Sequence, residues 1–458
     1  VIFASEDIGL DEPFSIYHAQ FPVSVIIDHL KGYNNPPLYE IILHYWTKLF
    51  GIDPVSVRLL PMIFACLAPI ALFFFAKKNF SLFIAFSSSL LLTFSSLMMH
   101  YAHDCRVYSL FTLLTVLSVH FFMDAVEGKQ NRRLKTAAFI IFSTLLIYAH
   151  YFGFFVILFQ AFFLLCFKRK SMIKFIGYYF IVLILYLPHL YPFLLRMGDS
   201  VSKGTWIDPP TVESLYNALW AFSNFPFVTV ACIVLLVATL IKITIRRTLH
   251  QNYPLVVFIT FWFLFVYLGM FVISFWVPMY IPRYLIFGLP AYYILLGLCL
   301  EYLIVNSLYR HLTMLALIIC FITTLDYHPD KKQPMAKVVE IIKNHKRPET
   351  SVLIYSHDVM TNFSYYYDRK IFSSIDGKNE YKVLDSLLAA DRVFSFQSPE
   401  ELENNKQTLR NEVLYYAAGE HRINSTSPVY QWLSDNLQLE WKKKTGPNWY
   451  VLKFKSAN

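Results

Sequence analysis

The chain has 458 residues, of which 56% are hydrophobic and only 16% are charged, and its formal net charge is +9. Apolar runs of about 18 or more residues recur along it, and each is long enough to cross a bilayer as a helix. Its Lys and Arg residues stand mostly in short clusters between these runs, which excludes a nucleic-acid-binding surface and indicates topology signals. The sequence therefore predicts a polytopic α-helical membrane protein.

Residues 1–56 are predicted to form an outer loop with interfacial helices. Val1-Ile-Phe-Ala4 is typical of the tail of a helix, so we expect a first span to precede this sequence. The adjacent carboxylates of Asp11 and Glu12 stand just before a proline. They are either solvated acids at a helix start, where carboxylates suit the helix dipole, or a functional pair.

A short apolar segment, Pro37 to Phe50, follows this loop. At about 14 residues it is too short for a span, so we expect a helix that lies in the outer interface. In that position His44 and Lys48 would face water.

Ten spans are expected between residues 57 and 326. The apolar run 134–168 must be split at His150-Tyr151, because a single helix of about 35 residues would be about 50 Å long and overshoot the bilayer. Alternate loops carry the positive charge: Lys77-Lys78, residues 128–135, Lys168-Arg-Lys170, Lys242 with Arg246-Arg247, and Arg310. By the positive-inside rule those loops are cytoplasmic, and residues 1–56 and 327–458 are extracytoplasmic.

The C-terminal part, residues 327–458, is polar and alternates strand and helix patterns. We expect a transmembrane domain over residues 1–326 and a soluble α/β domain over 327–458. The expected elements are strands at 351–356 and 392–396, helices at 335–345, 378–389 and 429–437, and a hairpin at 441–455. Tyr365-Tyr-Tyr367 is assigned to the core of this domain rather than to a sugar-stacking surface. The six scattered cysteines are assigned to small-hydrophobe use rather than to disulfides.

Four polar features come to the outer face in this topology: Asp11-Glu12, Asp104 with Arg106 before a span, His150 between two spans, and Arg283 at the start of a late span. Each has a structural alternative, namely an interfacial ion pair, a core histidine or an arginine that reaches the headgroups. Charged groups at membrane depth are costly and mark sites or pathways. Together they suit a lipid phosphate with a polar head. By contrast, His120, Asp124 and Glu301 are assigned structural roles, and His189 is assigned to a helix break.

An ordered set of motifs resembles the GT-C glycosyltransferases, in particular bacterial protein O-mannosyltransferases and lipid A aminoarabinose transferases. The motifs are Leu10-Asp-Glu-Pro-Phe-Ser15, Asn35-Pro-Pro-Leu-Tyr39, Leu49-Phe-Gly51, Val57-Arg-Leu-Leu-Pro61, Tyr101-Ala-His-Asp-Cys-Arg-Val-Tyr108, Tyr148-Ala-His-Tyr-Phe-Gly153 and Pro282-Arg-Tyr284. The resemblance covers the membrane part to about residue 305. It implies a GT-C-like helical bundle that spans a bacterial inner membrane several times and carries an extracytoplasmic C-terminal domain.

The resemblance also implies a chemistry. A sugar is transferred with inversion from a polyprenyl-phosphate donor to a lipid, glycan or protein acceptor. Asp11 matches the general base, with Glu12 beside it, and Asp104 matches a second acid. Arg58, Arg106 and Arg283 match positions that face the donor phosphate, for which an arginine fork is suited. The substrate-lining residues implied are Asn34, Asn35, Tyr39, His103, Tyr108, His150, Tyr151 and Tyr284.

These motifs do not determine whether the protein uses a cofactor. Some relatives carry Glu at the position of Asn34, where in the aminoarabinose transferases it helps to bind a metal. A divalent metal therefore remains open, with His100, His103 and His150 as further ligand candidates, although no metal-ligand spacing is present.

Two alternatives use the same polar groups. A transporter or flippase for lipid-linked saccharides would bind the headgroup without chemistry, but it is expected to show paired broken helices near the midplane. A polysaccharide polymerase or ligase would also use polyprenyl-linked donors, but it typically depends on a large outer loop between late spans.

Overall fold

The computed structural model describes residues 7–9, 11–127, 132–246, 253–326, 334–374, 381–396, 398–409, 412–424 and 427–456. Up to residue 326 the helices are α1 Glu12–His18, α2 Val23–His29, α3 Leu38–Phe50, α4 Pro54–Asn79, α5 Leu82–Thr93, α6 Ser96–Ala102, α7 Tyr108–Glu127, α8 Arg132–Ala149, α9 Gly153–Phe167, α10 Arg169–Ser202, α11 Val212–Ser223, α12 Pro226–Arg246, α13 Tyr253–Leu264, α14 Met270–Ile273, α15 Pro282–Leu285, α16 Leu289–Leu303 and α17 Ser307–Thr323. After residue 334 follow α18 Met335–His345, β1 Thr350–Ile354, α19 Met360–Tyr367, α20 Arg369–Phe372, α21 Lys382–Ala390, β2 Val393–Phe394, α22 Pro399–Asn404, β3 Glu412–Ala418, α23 Pro428–Asn436, β4 Gln438–Gly446 and β5 Trp449–Lys455.

The candidate membrane spans are fewer than the ten expected. Within the described residues, six helical stretches are long and apolar enough to cross a bilayer: α4, α7, α10, α12, Tyr253–Ile273 and Pro282–Leu303. The pair α5 and α6, bent by 57°, makes up to seven. Helices α9 and α17 are apolar but shorter, and α8 carries three cations in its first turn. Each of the ten expected spans therefore falls on helical residues, but that all ten cross the membrane stays a prediction.

The expected division at His150-Tyr151 is confirmed, since α8 ends at Ala149 and α9 begins at Gly153. The turn is tight: a Cβ on Gly153 would lie 2.9 Å from the carbonyl oxygen of Leu146. Glycine is therefore required sterically where the second helix starts.

The expected helix break near His189 is wrong. Helix α10 runs unbroken for 34 residues through Pro188 and Pro192 to Ser202. A proline removes one backbone donor, but long apolar helices tolerate it where local adjustments and neighbouring groups satisfy the backbone.

A real break occurs between α5 and α6, and Asn224 supports it. The Asn224 side chain accepts from the backbone N–H of Ser96 at 2.8 Å and donates to the carbonyl oxygens of Phe94 at 2.8 Å and Phe321 at 3.1 Å. Asn224 is buried, with φ of 65°. Because buried backbone polar groups need hydrogen-bond partners, this one amide supplies partners that the interrupted helix lacks.

Ion pairs gather at the end of α7 opposite to Tyr108. Lys78 donates to Asp124, and Lys135 lies 3.6 Å from the same carboxylate. Glu301 accepts from the Ser81 hydroxyl at 2.8 Å and lies 3.8 Å from Arg310. The structural roles expected for Asp124 and Glu301 are consistent with these contacts. A helix of 20 residues is about 30 Å long, so this end is far from the residues before α7.

The chain forms two compact units. The first comprises Val1–Ile26, Leu43–Val57 and Asp330–Asn458, and the second comprises Ile27–Ile42 and Arg58–Pro329. The boundary expected between residues 326 and 327 stays a prediction, because residues 327–333 lie outside the described part of the chain.

The first unit contains a five-stranded sheet of order β2-β1-β3-β5-β4. Strands β1, β2 and β3 are parallel, and β5 pairs antiparallel with β3 and β4. The α/β character, the two strands expected at 351–356 and 392–396, and the expected hairpin are confirmed. The central strand β3 was not expected, although Val413, Leu414, Tyr415 and Tyr416 are all buried.

Early segments of the chain belong to this unit. Tyr17 of α1 stacks on Tyr381 with ring centroids 5.6 Å apart, and the Tyr365 hydroxyl donates to the Ile52 carbonyl at 2.7 Å. Tyr365 is fully buried, in line with the core assignment. His44 is 3% exposed and its Nδ1 lies 2.8 Å from the Ala19 carbonyl oxygen. The expectation that His44 faces water is therefore wrong.

Candidate functional site

The residues expected to form the site are divided between the two units. Asp11 and Glu12 lie in the first unit, and the other twelve lie in the second. Each group is described in its own unit.

The two adjacent carboxylates of the first unit differ in environment. Asp11 immediately precedes α1 and is partly exposed. Glu12 is fully buried, and its Oε2 accepts from the Gly9 N–H at 3.3 Å. The reading of both as solvated acids is therefore wrong for Glu12. Of the pair, Asp11 is the carboxylate with access to solvent.

In the second unit, the loop between α6 and α7 carries Asp104 and Arg106. It is a tight turn, in which the Arg106 N–H donates to the Asp104 carbonyl at 2.6 Å. The Tyr39 hydroxyl donates to the Cys105 sulfur at 3.5 Å. Burial raises the pKa of Tyr39 well above its usual value, with Cys105 and the nearby carboxylates adding to the effect. His103 is buried in the same loop.

The Asn34-Asn35 step contacts two arginines. The Asn34 side-chain oxygen accepts from Arg196 of α10. With its amide oriented to satisfy both polar atoms, Asn35 accepts from Arg106 Nη2 at 3.3 Å and donates to the Asn34 carbonyl at 3.1 Å. The Asn35 side chain thus contacts the Arg106 loop, whereas that of Asn34 contacts α10, and the substrate-lining role of both residues stays a prediction.

His150 lies in the turn between α8 and α9, outside both helices, within a group of rings. It stacks on Phe111 at 4.8 Å, and the ring centroids of Tyr284 and Tyr108 lie 5.8 and 6.2 Å away. Its Nδ1 accepts from the Phe152 N–H at 3.2 Å. Burial, together with the positive charges of Arg106 and Arg283, lowers the pKa of His150 to about 3. His150 is therefore neutral at pH 7, and both guanidinium groups are close enough to act on it.

Arg283 is held by aromatic rings at the start of α15. Its guanidinium carbon lies 4.9 Å from the ring centroid of Trp206 and 5.4 Å from that of Tyr284. Cation–π contacts of this kind hold a guanidinium in place while its N–H groups point away from the ring face.

The remaining residues occupy separate positions. Arg58 is buried in the second turn of α4. The Tyr151 hydroxyl lies 3.3 Å from His189 Nε2, and their rings stack at 6.0 Å. Sequence reasoning missed Arg196, since nothing local in α10 links it to a loop so far away along the chain, and it gave His189 no part beside Tyr151.

A divalent metal beside Asn34 stays a prediction. The Asn34 oxygen, at the position where some relatives carry Glu, already accepts from the cationic Arg196. Within the described ranges, no group of three or more His, Cys, Asp or Glu side chains comes together in metal-binding geometry.

Part of the sequence matches a known protein family. Residues 34–191 match the family described as dolichyl-phosphate-mannose-protein mannosyltransferase. No curated protein sequence shows significant similarity to the chain.

Solved structures share the fold at low identity. The apo structure of ArnT from Cupriavidus metallidurans aligns with a TM-score of 0.64 and 12% identity over 98% of this chain and 94% of ArnT. ArnT bound to undecaprenyl phosphate aligns with a TM-score of 0.62 and 11% identity over 99% and 95% of the two chains. The apo oligosaccharyltransferase of Archaeoglobus fulgidus aligns with a TM-score of 0.55 and 10% identity over 91% and 66%. Together with the family match over residues 34–191, these structural matches support the resemblance expected from the motifs: the chain shares the fold of ArnT and of this oligosaccharyltransferase.

Proposed function

We propose that this protein is an inverting glycosyltransferase that moves a sugar from a polyprenyl-phosphate donor to an acceptor at the extracytoplasmic face of a bacterial inner membrane. The observation that supports it most is that Arg283 lies against the Tyr284 ring, 5.4 Å from its centroid, and that this ring lies 5.8 Å from that of the buried His150. The positive charges of Arg106 and Arg283 both act on His150. Guanidinium groups in one neighbourhood favour a phosphate, whose oxygens accept several charge-assisted hydrogen bonds. ArnT, which shares the fold over nearly its whole length, binds undecaprenyl phosphate.

In this proposal Asp11 is the general base. It would take the proton from an acceptor hydroxyl as that oxygen attacks the anomeric carbon from the side opposite to the phosphate. The carbon–oxygen bond to the phosphate breaks, and the configuration inverts. Arg58, Arg106 and Arg283 would stabilise the charge on the leaving phosphate. Glu12 is buried and accepts a backbone hydrogen bond, so it suits support of the loop better than proton transfer.

The partners follow from these roles. The donor's isoprenoid chain would lie among membrane lipids, and the acceptor would be a lipid, a glycan or a protein. Asp104 and the lining residues of the Arg106 loop would contact the donor headgroup.

The test uses the full chain in lipid nanodiscs with a panel of radiolabelled polyprenyl-phosphate sugars and extracts of candidate acceptors. We expect one donor to release polyprenyl phosphate while the label moves to an acceptor. The D11N variant should bind that donor normally and lose about 10²–10⁴ in rate, which is typical for loss of a general base.

Two results would count against the proposal in different ways. Near-normal turnover by D11N would remove Asp11 as the base. Movement of intact donors across proteoliposome membranes, with no polyprenyl phosphate released from any of them, would favour a flippase instead.

A further inference from the structure

The Asn34-Asn35 step links two arginines of the second unit that belong to different elements. Arg196, in the last two turns of α10, donates to the Asn34 side chain. Asn35 donates to the Asn34 carbonyl and accepts from Arg106 Nη2 at 3.3 Å. A continuous series of hydrogen bonds therefore runs from Arg196 through Asn34 and Asn35 to Arg106.

The segment between these contacts is stiff. Asn35 is followed by Pro36-Pro37, and a residue before proline is restricted to extended backbone, while each proline ring fixes its own φ. Just beyond the prolines, the Tyr39 hydroxyl donates to the Cys105 sulfur at 3.5 Å. The segment 34–39 thus holds two adjacent residues of the Arg106 loop, and a displacement of Asn34 would be transmitted to both.

The positive charge of Arg196 also acts on the turn that carries His150. Burial raises the pKa of Tyr151 to about 12, and the positive charge of Arg196 acts on it in the opposite direction. The Tyr151 hydroxyl in turn lies 3.3 Å from His189 Nε2 on α10. The outer end of α10 therefore borders both the Asn34-Asn35 step and the α8–α9 turn.

We propose that Arg196 is a positioning residue for donor binding: by holding Asn34 it fixes the Asn35 amide, and through that amide the guanidinium plane of Arg106. The proposal rests on the proposed function, in which Arg106 binds the donor phosphate. Because Arg196 acts through Asn35, removing Arg196 should weaken donor binding only in a protein that still has the Asn35 amide.

The experiment measures the affinity of the full chain in nanodiscs for undecaprenyl phosphate, with thermal unfolding as a check of folding. We expect R196A to weaken binding about tenfold, or about 1.4 kcal/mol, within the usual range for coupled polar contacts. R196K should recover part of the loss, because it restores a cationic donor but not the planar fork. N35A should lose a similar factor, and R196A/N35A should lose no more than N35A alone. With saturating donor, kcat of R196A should stay near the wild-type value while KM rises.

The matched control is K203A. Lys203 follows α10 directly and pairs with the exposed Asp199 at 2.8 Å, so the variant removes a cation from the same helix end without touching the Asn34-Asn35 step. Its binding should equal that of the wild type. Wild-type affinity in R196A, or additive losses in the double variant, would overturn the positioning role. R106A separates the two proposals. If R106A binds undecaprenyl phosphate normally, the proposed phosphate site fails. If R106A binds weakly while R196A binds normally, the phosphate site stands and only the role of Arg196 is refuted.

Discussion

At the scale of single residues, burial separates groups that look equivalent in the sequence. Asp11 and Glu12 are adjacent carboxylates, yet Asp11 is partly exposed whereas Glu12 is fully buried and accepts from a backbone N–H. Arg106 and Arg196 are both arginines near helix ends, but only Arg106 stands in a motif that resembles a family. The sequence motifs singled out Tyr108, His150 and Tyr284, whose rings lie close together in the structure. They could not predict Arg196, because its contact with Asn34 depends on where a long helix passes a distant loop.

His150 supports a prediction about pH at the same scale. Its pKa is lowered to about 3 by burial, whereas in the unfolded chain it should lie near the ordinary value of about 6.5. Between these values the unfolded state binds more protons, so stability falls as the pH is lowered. At pH 5 the loss should be about 2 kcal/mol, from about 1.4 kcal/mol per pKa unit.

The measurement is the thermal midpoint of purified protein between pH 7.5 and 5. The wild type should lose more stability over this range than H150Q, which cannot take up that proton. All other titrating groups are common to the two proteins. Parallel pH profiles would show that His150 does not titrate with a lowered pKa.

At the scale of elements, the sequence was most informative where periodicity or a turn signal was local. Helix α18 and the β4–β5 hairpin were expected close to where they lie. Strand β3 was missed because its run is continuously apolar and short, a pattern shared by buried strands and buried helix segments. Helix α10 was cut short because two prolines usually end a helix in water, whereas in this chain they lie inside it.

The break between α5 and α6 leads to a second prediction. Replacing Asn224 by Ala removes partners from the Ser96 N–H and from the carbonyls of Phe94 and Phe321. Each buried polar group left without a partner costs about 1–3 kcal/mol. We expect N224A to lower the thermal midpoint by several degrees.

Two variants refine this test. N224D keeps the acceptor for Ser96 but puts a buried carboxylate oxygen against the carbonyls of Phe94 and Phe321, so it should be no more stable than N224A. T244A is a matched control, since Thr244 is exposed and donates to the Leu240 carbonyl of its own helix at 2.9 Å. A midpoint for N224A equal to that of T244A would show that the junction does not need the amide.

At the scale of the whole molecule, the expectation that both ends of the chain lie on one side of the membrane has structural support. The first unit contains α1, the 43–57 segment and the C-terminal sheet, and Tyr17 stacks on Tyr381 within it. Segments packed in one compact unit share one side of a bilayer. Which side this is follows from charge alone: the Lys and Arg clusters fall in the alternate loops, which the positive-inside rule assigns to the cytoplasm.

The last prediction therefore concerns orientation. Single cysteines at Glu400 and Lys170, both exposed, are introduced in a background that lacks the six native cysteines. An impermeant maleimide applied to intact cells, with the outer membrane opened if there is one, should label E400C, because the sheet of the first unit is expected outside. K170C, in a predicted cytoplasmic cluster, should be labelled only after the inner membrane is permeabilised. Labelling of K170C but not E400C in intact cells would place the first unit, and with it Asp11, in the cytoplasm. A polyprenyl-phosphate donor would then have to be used on the cytoplasmic face.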